Sequence, residues 1–276
     1  MAAGALLRNV SSAVRRATGW DAKRVFRSAL HSNAQRILDA RMARSRFRDV
    51  LAAEDLRGHY ADIEVTDENI LTIQLSFIAA RLEFIDECLG APEASRGTFV
   101  DVGDSNGIFL RALGKTGIGL NYTEGCTRNL MARGVTAVRG DAVKLPLATH
   151  ACDYTLCFET LEHLPAPIDA LRELARVSRK GMFISVPHVT RTTVRPAGFR
   201  DAPQPLLHIF ELSDDHWRAL FTHAGLTVDR AATVPVVGPA RGLRETVALN
   251  AWRAAYGRDV YCGTFKRFQL YFLVQS

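Results

Sequence analysis

The sequence predicts an α/β fold of three layers, helices packed on both faces of a mostly parallel sheet with an antiparallel C-terminal edge. Three observations predict it. After Gly90-Ala91-Pro92, short apolar runs alternate with helical stretches, the pattern of βαβ units. The apolar run Phe99-Val100-Asp101-Val102 passes through a tight polar turn, Gly103 to Gly107, directly into the helix start Ile108-Phe109-Leu110. The strands that follow end in small, polar or acidic residues, as strands do where an open α/β sheet forms a ligand cleft.

Taken in order, residues 21–56 read as one helix, because Pro and Gly are absent and Val25, Phe26, Ala29, Leu30, Ile37 and Leu38 recur at helical spacing among arginines. A second helix is expected over 67–89. Strands are expected at 98–102, 117–121, 135–139, 153–158 and 181–186, with helices near 107–113, 124–133 and 167–178 between them. A further helix at 214–224 precedes two strands, 227–237 and 268–274, which form the antiparallel edge. The domain division is then a basic helical extension over 1–60 and one α/β domain over 61–276, a length that a single α/β domain commonly reaches.

Charge separates the two parts. Residues 1–50 hold 11 Lys and Arg against 3 Asp, net +8, whereas the remainder holds 24 basic and 26 acidic residues, net −2. A nucleic-acid face would extend over the folded domain, so nucleic acid is not an expected partner. The amphipathic arm instead suggests docking, on the body of the protein, on a second copy in a homodimer, or peripherally on an anionic membrane. The acid-free start before Asp21, rich in Ala, Ser and Arg, overlaps a mitochondrial transit peptide in composition. Cys88, Cys126, Cys152, Cys157 and Cys262 are odd in number and lack metal-ligand spacing, which suggests a reducing, cytoplasmic setting and no metal site.

The chemistry-bearing segments lie at the strand ends. Gly103 and Gly107 permit close backbone approach, and the N–H groups of such a turn can hold a carboxylate. Asn121 falls 18 positions after Gly103, where a ribose-binding side chain is expected. Third and fourth polar ends follow at Arg139-Gly140-Asp141-Ala142 and Cys157-Phe158-Glu159. A nicotinamide-dependent dehydrogenase shares the first turn, but the GxGxxG spacing is absent.

Residues 98–188 and 207–228 resemble the class I S-adenosylmethionine (SAM) dependent methyltransferases of the small-molecule type, which includes ubiquinone-biosynthesis and glycan O-methyltransferases. The resemblance is carried by Asp101 to Gly107, Gly119 to Thr123, Gly140 to Pro146, Asp153 to Leu164, Pro167 to Val177, Ile184 to His188 and the segment from His208 through Trp217 to Leu226. It implies a Rossmann-like fold with SAM as cofactor. Asp101, Gly103, Asp104, Ser105 and Gly107 would hold its amino-acid end, Asn121 and Tyr122 its ribose and adenine face, and Asp141 and Ala142 its adenine edge. Phe158 and Glu159 would lie beside the transferred methyl. The acceptor is expected to be a small molecule or glycan methylated at oxygen, which needs a base; His163, His188 and His208, together with Glu159, are the candidates, His188 the best placed. Residues 190–205, with Arg191, Arg195 and Arg200, are the expected acceptor lid. Ser105 and Asn121 depart from the Gly and acid usual in the family, and Asp104 is also unusual. These departures keep open a second reading, a degenerate SAM-fold protein with a binding or scaffold role.

Overall fold

The computed structural model describes residues 22–54, 56, 68–114, 116–194, 208–235, 238–247, 250 and 267–276. The first helices are α1 (Ala22–Met42), α2 (Arg48–Ala52), α3 (Glu68–Leu89) and α4 (Ala91–Arg96). The alternating part then runs β1 (Phe99–Val102), α5 (Ile108–Ala112), β2 (Ile118–Asn121), α6 (Glu124–Ala132), β3 (Thr136–Arg139), β4 (Cys152–Phe158), α7 (Pro167–Val177) and β5 (Ser178–His188). A small hairpin, β6 (Thr193–Val194) with β7 (Phe210–Glu211), precedes α8 (Asp214–His223), β8 (Leu226–Pro235) and β9 (Arg267–Gln275).

The seven-stranded sheet has the order β3-β2-β1-β4-β5-β9-β8. Strands β1 to β5 pair in parallel, and β9 alone runs antiparallel, to β5 on one side and β8 on the other. The antiparallel element expected at the C-terminal edge is therefore this reversed strand, one position in from the edge. Every residue of β1 is buried, which explains why Phe99, Val100 and Val102 are all apolar: a central parallel strand is covered on both faces, and Asp101 is its one polar residue. Phe99, Leu156 and Phe183 pack with Ile78, Leu82 and Ile85 of α3 and Leu110 of α5, while Val100, Val102 and Ile184 pack with Leu171 and Leu174 of α7 and Trp217 and Phe221 of α8. These are the three layers.

One expectation changes in the N-terminal part and another is narrowed. The helix read over 21–56 is broken at residues 43–47, where Ser45 Oγ accepts the Phe47 N–H at 3.1 Å and Arg46 makes two bonds, 2.6 and 2.7 Å, to Asp86 on α3. The basic excess is also partly consumed by partners on the body. Arg36 pairs with Glu245, Arg41 with Glu83 and Arg46 with Asp86, while Phe47 (2% exposed), Leu51 and Leu56 join the core beneath α3. Of the three docking readings, packing on the protein's own body is the arrangement that residues 33–56 show. Residues 1–21, which carry the transit-peptide reading, lie outside the described residues.

Candidate active site

The turn after β1 owes its shape to two glycines and one acid. Gly103 has φ +90°, and a Cβ there would lie 2.1 Å from Thr160 Oγ1; Gly107 has φ +72°, and a Cβ would lie 2.4 Å from Val135 Cγ2. Only glycine relieves both the left-handed backbone and the close approach. Asp104 folds back into the turn it belongs to. Its Oδ1 accepts the N–H groups of Asn106 at 3.1 Å and Gly107 at 2.7 Å, and Asn106 Oδ1 accepts Ile108 N–H at 3.0 Å. These backbone donors, expected to face a ligand carboxylate, are thus engaged inside the turn. Ser105 is buried, and its carbonyl accepts the Asn129 amide at 2.7 Å.

Two carboxylates share the interior of this turn. Asp101 is 3% exposed and its Oδ2 has no hydrogen-bond partner; Asp104 Oδ2 is likewise buried without one. Burial, with the neighbouring Asp104 charge second, holds Asp101 well above the usual carboxylate range, and Arg81 opposes this. Burial raises Asp104 to about 6, against the backbone bonds from Gly107 and Asn106 and the nearby Arg111. An orphaned, buried carboxylate oxygen at the end of β1 suits an ammonium group, so the amino end of SAM fits here.

At the end of β2, Asn121 donates from Nδ2 to the Asp104 carbonyl at 2.8 Å and accepts at Oδ1 from Thr123 N–H at 2.9 Å and Thr123 Oγ1 at 3.1 Å. Both ends of the amide are therefore occupied within the protein. Tyr122, 68% exposed, and Asp141, exposed with Oδ1 accepting Val143 N–H at 3.1 Å, remain open to a ligand. Ala142 is buried beside Asp141. Phe158 packs edge-on against Phe109 at 4.7 Å.

Glu159 terminates β4 with φ +50°, a conformation that strains a non-glycine residue. Its N–H donates to Ser185 O at 2.9 Å, and its Oε1 accepts Ser185 Oγ at 3.0 Å and lies 3.2 Å from Arg81 Nη2. Arg81 belongs to α3. Periodicity reads α3 as a buried apolar helix and offers no signal that its arginine reaches the end of β4.

The three candidate histidines divide. His188 ends β5 half-buried, its Nδ1 3.2 Å from Gln269 Oε1 on β9, and that oxygen also accepts Thr233 Oγ1 at 2.7 Å. His163 and His208 instead meet edge to face at 4.8 Å, with His208 Nδ1 3.0 Å from Glu211 Oε1. Ligand atoms of Glu162, His163 and His208 lie within 4.8 Å of one another, a donor set that could hold a divalent cation and that the cysteine-based reading overlooked. Of the expected lid, Arg191 is exposed, and residues 195–207, with Arg195 and Arg200, lie outside the described residues.

Comparison with known proteins agrees with this arrangement. The family described as "Methyltransferase domain" matches residues 100–186. A Mycolicibacterium smegmatis protein named as a probable S-adenosylmethionine-dependent methyltransferase is 32% identical over 114 residues, 41% of this chain and 44% of that protein. An uncharacterized chloroplastic methyltransferase of Arabidopsis thaliana is 26% identical over 153 residues, 49% of this chain and 44% of its own length. The chain spans half or less of the length of the curated relatives it matches. A crystal structure of a Bacillus halodurans protein described as a methyltransferase has a TM-score of 0.50 at 13% identity, covering 71% of this chain and 98% of that one, which shows a shared fold. Residues 100–186 thus match a methyltransferase domain and lie in the seven-stranded, mostly parallel sheet whose fold the Bacillus halodurans structure shares.

Proposed function

We propose that the chain transfers the methyl group of SAM to a small-molecule or glycan acceptor at oxygen. The observation that carries this reading is the convergence of four strand ends, Asp101–Gly107, Asn121–Tyr122, Asp141–Ala142 and Phe158–Glu159, on one edge of the sheet. Bound there, SAM supplies an electrophilic methyl group. The residues do the rest by orientation and proton transfer. Asp101 receives the ammonium group, Tyr122 and Asp141 the adenosine, with the Gly103–Gly107 turn as floor. His188 acts as base: if Gln269 Oε1 accepts the Nδ1 proton, the neutral ring presents Nε2 as an acceptor for a hydroxyl proton. His163 and His208, engaged with each other and with Glu211, anchor the segment after β4 to β7.

A second reading, a SAM-fold protein with a binding or scaffold role, is favoured by Asp104 and Asn121, which occupy from within the positions a ligand would use. Isothermal titration with SAM and S-adenosylhomocysteine separates the two, together with methyl-labelled SAM incubated with fractionated extract. Heat on titration and label in a small-molecule or glycan fraction, lost in His188→Gln with cofactor affinity retained, is the expected result. No heat with a folded protein would reject methyl transfer.

A further inference from the structure

Glu162 and His163 belong to the single 3₁₀ turn Leu161–His163 that follows β4, and His208 stands two residues before β7, so two distant parts of the chain meet in one cluster. The backbone holds these parts together independently of the side chains, through Ile209 N–H donating to Glu162 O at 2.8 Å. Glu162 and His208 are buried and His163 half-buried. One ligand atom from each lies within 4.8 Å of the other two. Some point therefore lies within 4.8/√3, about 2.8 Å, of all three, and side-chain shifts of under about 1 Å reach the roughly 2.1 Å at which imidazole nitrogen and carboxylate oxygen bind a zinc-sized cation. His208 Nε2 is 3.8 Å from Glu162 Oε1, too far for a hydrogen bond but inside the ~3.0–4.2 Å that separates two donors each about 2.1 Å from one ion. The other nitrogen of that ring, Nδ1, is 3.0 Å from Glu211 Oε1. With the proton on Nδ1 shared with this carboxylate, Nε2 keeps its lone pair on the Glu162 side, the arrangement in which a carboxylate orients a metal-binding histidine. Two buried carboxylates with two neutral imidazoles carry the charge that one divalent cation cancels.

We propose that Glu162, His163 and His208 form a binding site for a divalent transition-metal cation, with Glu211 orienting His208 from behind. Two imidazoles and one carboxylate suit zinc, cobalt or manganese, whereas magnesium and calcium take oxygen ligands. Three protein donors leave at least one coordination position for water or a ligand, and half-buried His163 marks the side from which it is reached. The site does not depend on the methyl-transfer reading.

The full chain is stripped with a chelator, checked by circular dichroism and titrated calorimetrically at pH 7 with zinc, cobalt and magnesium chlorides, and the visible absorption of bound cobalt is recorded. Zinc and cobalt should each bind once at this site, cobalt with the d–d bands of nitrogen and oxygen ligation, and magnesium should give no comparable heat. Glu162→Gln and His163→Ala should each weaken zinc at least about tenfold, while His223→Ala, an exposed histidine at the end of α8, leaves it unchanged. Glu211→Ala, which removes only the support of His208, should weaken zinc by about ten- to a hundredfold, and Glu211→Gln, which returns an oxygen to accept the Nδ1 proton, should recover part of the loss. If buried Glu162→Gln does not fold, half-buried His163→Ala decides. A folded wild type that binds neither zinc nor cobalt overturns the proposal. So does zinc binding that His163→Ala leaves unchanged, or that His223→Ala weakens as much.

Discussion

Asp104→Asn tests the electrostatics of the glycine turn. In the folded protein burial pushes Asp104 up to about 6 from the ordinary 3.8. The proton is therefore held more tightly in the folded state, so its contribution to stability is fully present below pH 3.8 and is lost as pH rises to about 6. That interval of about two pH units corresponds to about 3 kcal/mol at ~1.36 kcal/mol per unit. Asparagine cannot ionise, and its oxygen can keep the bonds from Asn106 and Gly107; its amide, placed where Oδ2 lies beside Gly119, adds a constant cost of about 1–3 kcal/mol. Urea unfolding followed by far-ultraviolet circular dichroism at pH 4, 5, 6 and 7.5 measures the difference between variant and wild type. That difference should move in favour of the variant by up to about 3 kcal/mol across the series and level off above pH 6. Parallel stability curves for the two proteins would refute the assignment of a raised carboxyl to Asp104.

Asn121→Asp should destabilise the fold by about 1–3 kcal/mol, since it sets a carboxylate against the Asp104 carbonyl that Nδ2 now serves; a variant of unchanged stability with tighter SAM binding by calorimetry would restore a ribose role for this position. Asp141→Ala should leave the melting temperature within a degree or so and weaken S-adenosylhomocysteine by about 1–3 kcal/mol in a titration, because its exposed carboxylate supports the Asp141–Lys144 turn by a single bond. Phe47→Ala should cost about 3–5 kcal/mol in chemical denaturation, and a truncation removing residues 1–50 should fail to give a cooperative transition, as Ala34, Leu38 and Phe47 are buried.

The alternating half of the molecule was legible because its signals are local. Continuous apolar strands, Pro167 at the first turn of α7 and the glycines of the first turn each act within a few residues, and the expected strands from 98 to 186 match the observed ones to within a few positions. What escaped were features set by tertiary approach. A basic amphipathic arm suggests docking, but which surface receives it is set only when Glu83, Asp86 and Glu245 are seen opposite it. Arg81 looks like one charge among many on α3, and its meeting with Glu159 depends on how α3 crosses the sheet. The engagement of Asn121 with Asp104 spans 17 residues and two elements, so the amide resembled a weakened ribose ligand when it is also a brace for the turn.

The reversed strand has a consequence for how the cleft comes into being. Because β9 follows β8 in the chain but lies between β5 and β8, both of those strands keep an unpaired inner edge until it inserts. The same strand carries Gln269, the partner of His188, and Phe268, whose ring centre lies 5.3 Å from the Arg81 guanidinium carbon. The strand ends proposed to hold the cofactor, on β1, β2 and β4, can therefore assemble during synthesis ahead of the surroundings of His188. A chain halted before residue 267 would carry the glycine turn yet lack Gln269, the partner of the proposed base His188, with two open sheet edges to attract chaperones or other chains.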